Sequence, residues 1–437
     1  MSSFEISAIG GMALVALLLL GVPVAYALGI VAAVGIYFVS GSLFLFATLE
    51  SLPYSLASQY TFLIVPMFIL MGAICARTGV IADLYSAAHR FTAGWRGGLY
   101  IATIFSSAAF AAISGSTVVA ASVFSRIAIP EMKRYGYNLG VAAGCIAAAG
   151  TLSAMIPPSL AMVLFGILTN ESIGALLLAG LSPGLMTACV YALGVKWLVF
   201  IRPSFAPTSG YVFSWSEKFR SLGPVSYAAL LAILVLGGIY SGAFSPSAAG
   251  SVGAAGAILI GLLRRRLGGK VMSESLREAL AVSASLFAVI IAGLLFSRFL
   301  ISTGLVRDLS TFLAAADVGQ WEFLAIVVVT YFVLGLFIDG VSVLVITLPV
   351  LYPVGKAIGV DPIWFGVIVV KLIEIAAITP PVGLNLFAVL GSLDGEIRSS
   401  ELFRGVVPFV MMEVLTLAIL IAFPAISTWL PNAMLGR

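Results

Sequence analysis

Two proline pairs, Pro157-Pro158 and Pro380-Pro381, lie deep in apolar stretches of the sequence. Proline removes a backbone donor and clashes with the preceding helical turn, so each pair should interrupt a helix. In lipid, the freed carbonyl groups survive only where they are buried in protein or line a cavity. Such oxygens suit sodium, a hard cation that takes oxygen ligands. We therefore predict cation-binding breaks, with kinked structural helices as the alternative. The hydroxyl groups near the breaks are those of Thr151, Ser153, Ser159 and Thr379.

Two further apolar stretches, 97–132 and 321–355, are divided in the middle by short polar runs. The first run, 114–117, reads Ser-Gly-Ser-Thr, and the second contains Asp339-Gly340. Glycine lets a backbone approach a ligand closely, and a helix that begins at such a run directs its positive end towards a carboxylate. Because each arm is marginal for a full span, we interpret both stretches as re-entrant hairpins. Close packing by small residues is the alternative for the first run, whereas Asp339 could cap a helix, contribute to an ion site or face water.

Few charged residues lie inside the apolar segments. Arg298 could pair with an anionic substrate, because a charge within the membrane is a candidate for function, or it could extend to the nearby interface. Lys371 and Glu374 are three positions apart on one predicted helix, where they could neutralise each other. The sequence leaves Glu413 without an assignment.

The elements that carry these residues must lie in a membrane. Hydrophobic residues make up 61% of the 437-residue chain and charged residues only 9%, and the mean hydropathy is +1.17. These values exclude a soluble protein and predict an all-α polytopic membrane protein. The net charge of +4 does not predict nucleic-acid binding, because no basic patch alternates with aromatic residues. The predicted crossing segments are 6–22, 23–40, 59–76, 138–168, 173–200, 224–242, 246–263, 278–302, 362–392 and 404–430, with a possible interfacial helix at 43–57.

The chain also repeats itself. Three punctuating residues of the first half recur in the second half at one constant offset of 223 positions. Each half would cross the bilayer five times, an odd number, so the second half should be inverted relative to the first. Inverted repeats with broken helices are typical of secondary transporters. The positive-inside rule then places both termini in the periplasm, provided that neither hairpin crosses. The matched pairs are Pro130 and Pro353, Gly136 and Gly359, and Pro157 and Pro380.

Motifs over nearly the whole chain resemble the large membrane subunit of tripartite ATP-independent periplasmic (TRAP) transporters. They occur in the order expected for that family, and no single motif carries the resemblance. The motifs are 21–25 (Gly-Val-Pro-Val-Ala), 66–72 (Pro-Met-Phe-Ile-Leu-Met-Gly), 112–116 (Ala-Ile-Ser-Gly-Ser), 129–137 (Ile-Pro-Glu-Met-Lys-Arg-Tyr-Gly-Tyr), 149–152 (Ala-Gly-Thr-Leu), 156–159 (Ile-Pro-Pro-Ser) and 378–385 (Ile-Thr-Pro-Pro-Val-Gly-Leu-Asn).

The resemblance implies sodium-coupled import of an organic acid, such as a dicarboxylate, sialic acid or another sugar acid, across the inner membrane. No cofactor is implied beyond the coupling ion, and transport would be of the elevator type. The implied partners are a small four-helix membrane subunit, here a separate chain, and a periplasmic substrate-binding protein. The sodium-binding residues carried over or predicted are Ser114, Gly115, Gly150, Thr151, Ser153, Gly335, Ala376, Thr379 and Val382. The substrate-binding candidates are Ser116, Thr117, Gly340, Pro157, Pro381 and Arg298.

On this interpretation the chain divides into scaffold and transport segments. The scaffold comprises 1–95, 169–277 (including the repeat junction) and 393–437, whereas the transport domain comprises 96–168 and 278–392, each with one hairpin and one broken helix.

Two other function classes compete with a TRAP permease. A stand-alone sodium–carboxylate symporter without a binding protein is the nearer alternative. An intramembrane enzyme with Ser114 or Ser116 as nucleophile would need a base within reach, and the single histidine, His89, is predicted to lie in a cytoplasmic loop. The sequence therefore predicts a transporter that is not an enzyme.

Overall fold

The computed structural model describes residues 3–207, 212–393 and 395–435. Within these ranges the chain is almost entirely helical and contains no β-strand. Two 3₁₀ turns (Tyr60–Leu63 and Pro203–Phe205) and one π-helical segment (Ile233–Gly237) accompany the α-helices. The α-helices are α1 (Ser3–Leu19), α2 (Val24–Ala57), α3 (Ile64–Arg77), α4 (Val80–Thr92), α5 (Gly98–Ser114), α6 (Thr117–Arg134), α7 (Leu139–Met155), α8 (Leu160–Thr169), α9 (Ile173–Ile201), α10 (Trp215–Ala232), α11 (Gly238–Tyr240), α12 (Pro246–Leu263), α13 (Gly269–Thr303), α14 (Leu305–Ala315), α15 (Gln320–Gly335), α16 (Gly340–Ala357), α17 (Pro362–Ile378), α18 (Leu384–Ser392), α19 (Ser399–Ala422) and α20 (Ala425–Leu435).

The described helices confirm a multi-pass membrane protein. Eight helical segments are long and apolar enough to cross a bilayer, or nine if the bent pair α7–α8 forms one span. All ten predicted crossing segments contain helix at about the predicted positions. The second arm of the second predicted hairpin, α16, is also among the eight. Length and composition therefore do not separate a re-entrant arm from a crossing helix.

Several boundaries differ from the prediction for local reasons. Helix α10 begins well before 224 because Ser214 and Glu217 form a capping box at its start. By contrast, α2 is interrupted at Gly41, whose φ of 82° and ψ of 171° are not helical, so its two limbs coincide with the predicted segments 23–40 and 43–57. The predicted span 404–430 is divided between α19 and α20 at Pro424, which cannot continue the preceding helix.

Both predicted hairpins are helix–turn–helix pairs. Helices α5 and α6 meet at Gly115, whose φ of 65° reverses the chain, and the Ser116 hydroxyl accepts a hydrogen bond from the Val119 amide to cap α6. Helices α15 and α16 meet at 336–339, and the Asp339 carboxylate caps α16 by accepting from the Ser342 amide at 3.1 Å. Of the three roles open to Asp339 from the sequence, helix capping is the one that the structure contains.

Both proline pairs interrupt helices as predicted. The first pair separates α7 from α8, which are inclined to each other by 40°, and the second separates α17 from α18. Both Pro-Pro peptide bonds are cis. The two halves thus repeat one order of elements, namely hairpin, helix, proline break and short helix. The inversion of one half relative to the other stays a prediction.

The broken helices lie at the centre of the packing. Every residue of α7 from Gly140 to Met155 is buried, which explains why its sequence is apolar on all sides. Helix α7 packs against α5, α6 and α19, and α17 packs against α15, α16 and α19. Helices α2, α3 and α13 form a separate group in which the long α13 contacts both of the others. Helix α13 also contacts α16 and α3 contacts α5, so two helices of this group border the hairpins.

Candidate functional site

The tip of the first hairpin rests on the first helix break. A Cβ atom added to Gly115 would collide with the carbonyl oxygen of Pro158. On the other side of the tip, a Cβ atom on Gly72 of α3 would lie 3.1 Å from the Ser114 backbone and hydroxyl. Only glycine permits both close approaches, and only glycine readily adopts the backbone of residue 115. The sequence therefore brings the hairpin tip, the break and α3 together.

Two hydroxyl groups at this junction are buried without a partner. The side-chain oxygens of Ser114 and Ser153 make no hydrogen bond within the described residues, although both residues are at most 1% exposed. Neighbouring hydroxyls are satisfied, since that of Ser107 donates to the Ala149 carbonyl at 2.7 Å and that of Ser159 donates to the Ala154 carbonyl. Buried polar groups are almost always paired, so two orphan oxygens beside exposed carbonyls indicate a place for a cation.

The residues of α7 that were predicted to bind sodium face in two directions. Gly150 faces the first hairpin, where an added Cβ would lie 3.0 Å from the Thr117 carbonyl oxygen. Ser153 is three positions further and shares this face. The Thr151 hydroxyl instead lies 2.7 Å from the Ala148 carbonyl and 3.3 Å from the Glu413 carboxylate, and its single hydrogen is shared between these two acceptors. The hydroxyl of Thr151 is thus directed away from the hairpin.

The second hairpin meets the second broken helix in the same way. A Cβ atom on Gly335 would lie 2.5 Å from the Cβ of Ala376, and one on Gly340 would collide with Ile373. The Thr379 hydroxyl donates to the Ile375 carbonyl at 2.6 Å, which leaves its lone pairs and the carbonyls of the break for another partner. The structure therefore brings Gly335 against Ala376, with Thr379 three positions further at the break. A sodium site at these residues stays a prediction.

The two breaks differ in exposure. Around the first break, Ser153, Ser159 and Pro157 are buried. At the second break, Pro381 is exposed and Val382 is 36% exposed. An ion at the first break would therefore be enclosed by protein, whereas one at the second would be near the surface of the described chain.

Two cavities lie along α13, one beside each hairpin. The first, of about 540 Å³, borders the second arm of hairpin one, and the second, of about 600 Å³, borders the start of the second arm of hairpin two. The other substrate candidates near the tips, Ser116, Thr117 and Gly340, are half-buried. The first cavity is lined by residues that include Arg77, Val118, Ser122, Arg126 and Glu278, and the second by residues that include Pro23, Tyr26, Ser285, Asp339 and Ser342.

Arg298 is not beside these cavities. Its guanidinium group contacts the Thr48 hydroxyl of α2 at 3.5 Å. On the same helix α13, Gly293 faces Val345 of the second hairpin, and the five-residue spacing turns Arg298 to another side. The structure therefore does not bring Arg298 together with the other substrate candidates.

A buried ion cluster joins four helices behind the two breaks. The Lys371 ammonium group contacts the Glu374 carboxylate at 2.8 Å, the Thr187 hydroxyl at 2.9 Å and the Glu413 carboxylate. The other oxygen of Glu413 accepts hydrogen bonds from the hydroxyls of Tyr191 and Thr151. All of these residues are fully buried. The predicted pairing of Lys371 with Glu374 is confirmed, and Glu413 is added to it.

Sequence reasoning missed the part played by Glu413, Tyr191 and Thr187 because they are distant in the chain. The repeat contained one signal for this cluster. Thr151 and Glu374 differ by the same 223 positions as the proline pairs, so they occupy equivalent places on the two broken helices. A second signal was the rarity of charge, because three ionisable groups in apolar helices require partners inside the protein.

Comparisons with known proteins identify the family of this fold and site. The sequence profile described as "Tripartite ATP-independent periplasmic transporter, DctM component" matches residues 12–426. The C4-dicarboxylate TRAP transporter large permease protein DctM of Pseudomonas aeruginosa is 33% identical, over 86% of this chain and 87% of the relative. The sialic acid TRAP transporter permease protein SiaT of Haemophilus influenzae is 31% identical, over 89% of this chain and 62% of the relative.

A solved structure supports the fold alone. The crystal structure of the YdaH transporter of Alcanivorax borkumensis matches with a TM-score of 0.62 and 15% identity, over 90% of both chains. The named relatives are transport permeases, and the all-helical fold agrees with a multi-pass protein of the inner membrane. With a profile match that covers almost the entire sequence, this chain belongs to the DctM component of the tripartite ATP-independent periplasmic transporters.

Proposed function

We propose that this chain is the substrate-translocating subunit of a sodium-coupled importer of an organic acid. The observation that carries this proposal is a pair of buried hydroxyls without hydrogen-bond partners. Ser114 lies at the tip of the first hairpin, which contacts the first break, and Ser153 lies on α7 just before that break. A cation would satisfy both oxygens together with carbonyls of the break. The second break, with Gly335 against Ala376, supports a second sodium site of related design.

The substrate is proposed to bind between the hairpin tips as an organic carboxylate. Helix α6 begins at a tip with the neutral Ser116 as its cap, so its positive end faces this region. The start of α16 is already occupied by the Asp339 carboxylate, so α6 is the helix proposed to face the substrate carboxylate. The relatives named above are described as permeases for C4-dicarboxylates and for sialic acid, and both of these substrates carry carboxylates. Ser116, Thr117, Gly340 and Pro381 are the proposed contacts near the tips.

We further propose that transport is of the elevator type, with the hairpins and broken helices moving against α13 and its neighbours. This proposal assigns α13 to the scaffold, whereas the sequence-based division placed residues 278–302 in the transport domain. The cavities along α13, one beside each hairpin, support this mechanism, because a moving body needs space at its border with the scaffold. The proposed partners are a small four-helix membrane subunit and a periplasmic binding protein that delivers the acid. A stand-alone sodium–carboxylate symporter is the second candidate.

Reconstitution into liposomes tests the proposal. The chain with its small subunit should accumulate succinate or sialic acid when sodium is present outside and the binding protein has been added. A potassium gradient of equal ionic strength should give no uptake. Uptake that needs sodium but proceeds equally without a binding protein would favour the stand-alone symporter. Uptake that is indifferent to sodium would refute the proposal.

A further inference from the structure

The buried cluster of Lys371, Glu374 and Glu413 lies where the two repeats meet. Thr151 on α7 and Glu374 on α17 occupy equivalent positions of the two repeats, and both point into the cluster. Helices α9 and α19 supply the remaining members, Thr187, Tyr191 and Glu413. The cluster therefore connects the two broken helices through residues at equivalent positions of the two repeats.

Each broken helix presents one face to a hairpin tip and the opposite face to the cluster. On α7, Ser153 faces the first site, and Thr151, two positions earlier, faces Glu413. On α17, Ala376 contacts Gly335, and Glu374, two positions earlier, contacts Lys371. Two residues along an α-helix correspond to a rotation of about 200°. A shift of either helix at its ion-binding face therefore also moves its cluster face.

Stability alone does not account for such a cluster. Moving charges out of water costs several kcal/mol per ion, and well-packed apolar residues often serve stability equally well. What an ion cluster supplies is defined geometry. The Lys371 ammonium group contacts oxygen atoms on α17, α9 and α19. The two carboxylate oxygens of Glu413 connect α17 to α7 and α9.

We propose that the Lys371–Glu374–Glu413 cluster is a positioning element that couples the two sodium sites, so that an ion bound at one break favours binding at the other. This inference rests on the proposed sodium-coupled function. The residues of the cluster are not themselves ligands. They fix the relative position of α7 and α17, and a change at one break is transmitted through Glu413 and Lys371 to the other.

Binding of ²²Na⁺ to the purified full-length chain, together with any co-purifying subunit, tests this inference without a transported substrate. The wild-type protein should bind sodium with a Hill coefficient close to two, the number of coupled sites. The Glu413→Gln variant keeps the side-chain shape and loses the charge that faces Lys371. It should bind with a Hill coefficient close to one and a half-saturating concentration raised about 5- to 150-fold, the usual range of a coupling between sites.

Two further variants keep the test decisive. Thr187→Val removes one acceptor of Lys371 and leaves every charge in place, so it should fold and should lower the Hill coefficient to an intermediate value. Glu396→Gln is the matched control, because it removes a carboxylate from the exposed pair with Lys133, far from the cluster, and should bind sodium as the wild type does.

The outcomes separate the two proposals. Absence of ²²Na⁺ binding to the wild type would refute sodium coupling itself. Cooperative binding that persists unchanged in Glu413→Gln and in Thr187→Val would refute the inference and leave the sodium sites intact. A wild-type Hill coefficient of one would likewise refute the inference. If Glu413→Gln does not fold, the Hill coefficient of Thr187→Val decides whether the inference stands.

Discussion

Gly335 and Ala376 are in direct contact where the second hairpin meets the second broken helix, and a Cβ atom at position 335 would lie 2.5 Å from that of Ala376. Real Cβ atoms do not approach so closely, so any larger residue must separate α15 from α17. The spacing of these two helices therefore depends on the absence of a side chain at residue 335.

Gly335→Ala should for this reason weaken the second sodium site. We expect the sodium concentration for half-maximal uptake to rise on the order of tenfold, which corresponds to about 1.4 kcal/mol of lost binding free energy. Gly391→Ala in α18 is the control, since nothing lies within 4 Å of a Cβ placed there. Equal sodium dependence of the two variants would exclude residue 335 from the site.

Ser153→Ala should separate ion binding from folding. An unpaired buried hydroxyl costs about 1–3 kcal/mol, so its removal should leave the melting temperature in sodium-free buffer unchanged or higher. The additional stabilisation by sodium chloride over choline chloride should be lost. Ser107→Ala is the contrasting control because its hydroxyl is paired, and it should lower the melting temperature in both salts. A Ser153→Ala variant that retains the full sodium effect would contradict the first site.

Arg298→Gln should leave the half-saturating substrate concentration unchanged. The guanidinium group contacts Thr48 on α2 and is directed away from the hairpins, so it is not positioned to pair with a carboxylate there. Uptake of succinate or sialic acid at varied concentration measures this. A rise of tenfold or more in the half-saturating substrate concentration would show that Arg298 pairs with the substrate carboxylate, which is one of the two roles that the sequence left open.

A cross-link across the second cavity should stop transport. Ser285 of α13 and Ser342 of α16 line this cavity, and an elevator movement would change their separation. In a Cys189→Ala background, which removes the exposed native thiol, Ser285→Cys with Ser342→Cys should lose uptake on addition of Hg²⁺ and regain it with dithiothreitol. Each single cysteine variant should be insensitive. Full uptake in the cross-linked double variant would rule out relative movement of α13 and α16.

Acid should destabilise the protein through His89. This residue lies on α4, outside the eight candidate spans, among Tyr85, Tyr135 and Phe213. Burial lowers the pKa of His89 from its ordinary value of 6.5; the Arg90 charge also lowers it, while Glu131 opposes the shift. The unfolded chain therefore takes up a proton first, and stability falls as the pH drops below about 6.5.

The comparison of melting temperatures at pH 7.5 and pH 5.5 measures this contribution. The His89→Phe variant keeps the aromatic contacts. We expect its melting temperature to fall less between pH 7.5 and pH 5.5 than that of the wild type. An identical pH dependence of the two proteins would show that other groups account for the acid sensitivity.

Local signals in the sequence predicted the parts of the site that glycine and proline determine. The breaks at Pro157 and Pro380 and the reversal at Gly115 follow from backbone chemistry, which acts within a few residues. The role of Asp339 was ambiguous because capping and ion binding use the same carboxylate. The interruption of α2 at Gly41 was also predicted, because it falls between the predicted segments 23–40 and 43–57.

Such local signals could not predict contacts between residues that are distant in the sequence. Glu413 is 42 positions from Lys371, and no periodicity relates the two residues. The orphan state of Ser114 and Ser153 likewise depends on which carbonyls their neighbours already use, and this is decided only when α5 packs against α7. The sequence indicated hydroxyls near the breaks but could not show which of them lacked partners.

The second arm of each hairpin packs against the short helix of the other repeat. Helix α6 of the first hairpin packs on α18, with Ser122 and Ser392 hydrogen-bonded at 2.8 Å, and α16 of the second hairpin packs on α8. A single repeat would therefore leave its own hairpin arm without the surface that covers it. A half-length chain would therefore need a second copy to cover its hairpin arm, and joining the two repeats in one chain supplies that surface without dependence on concentration.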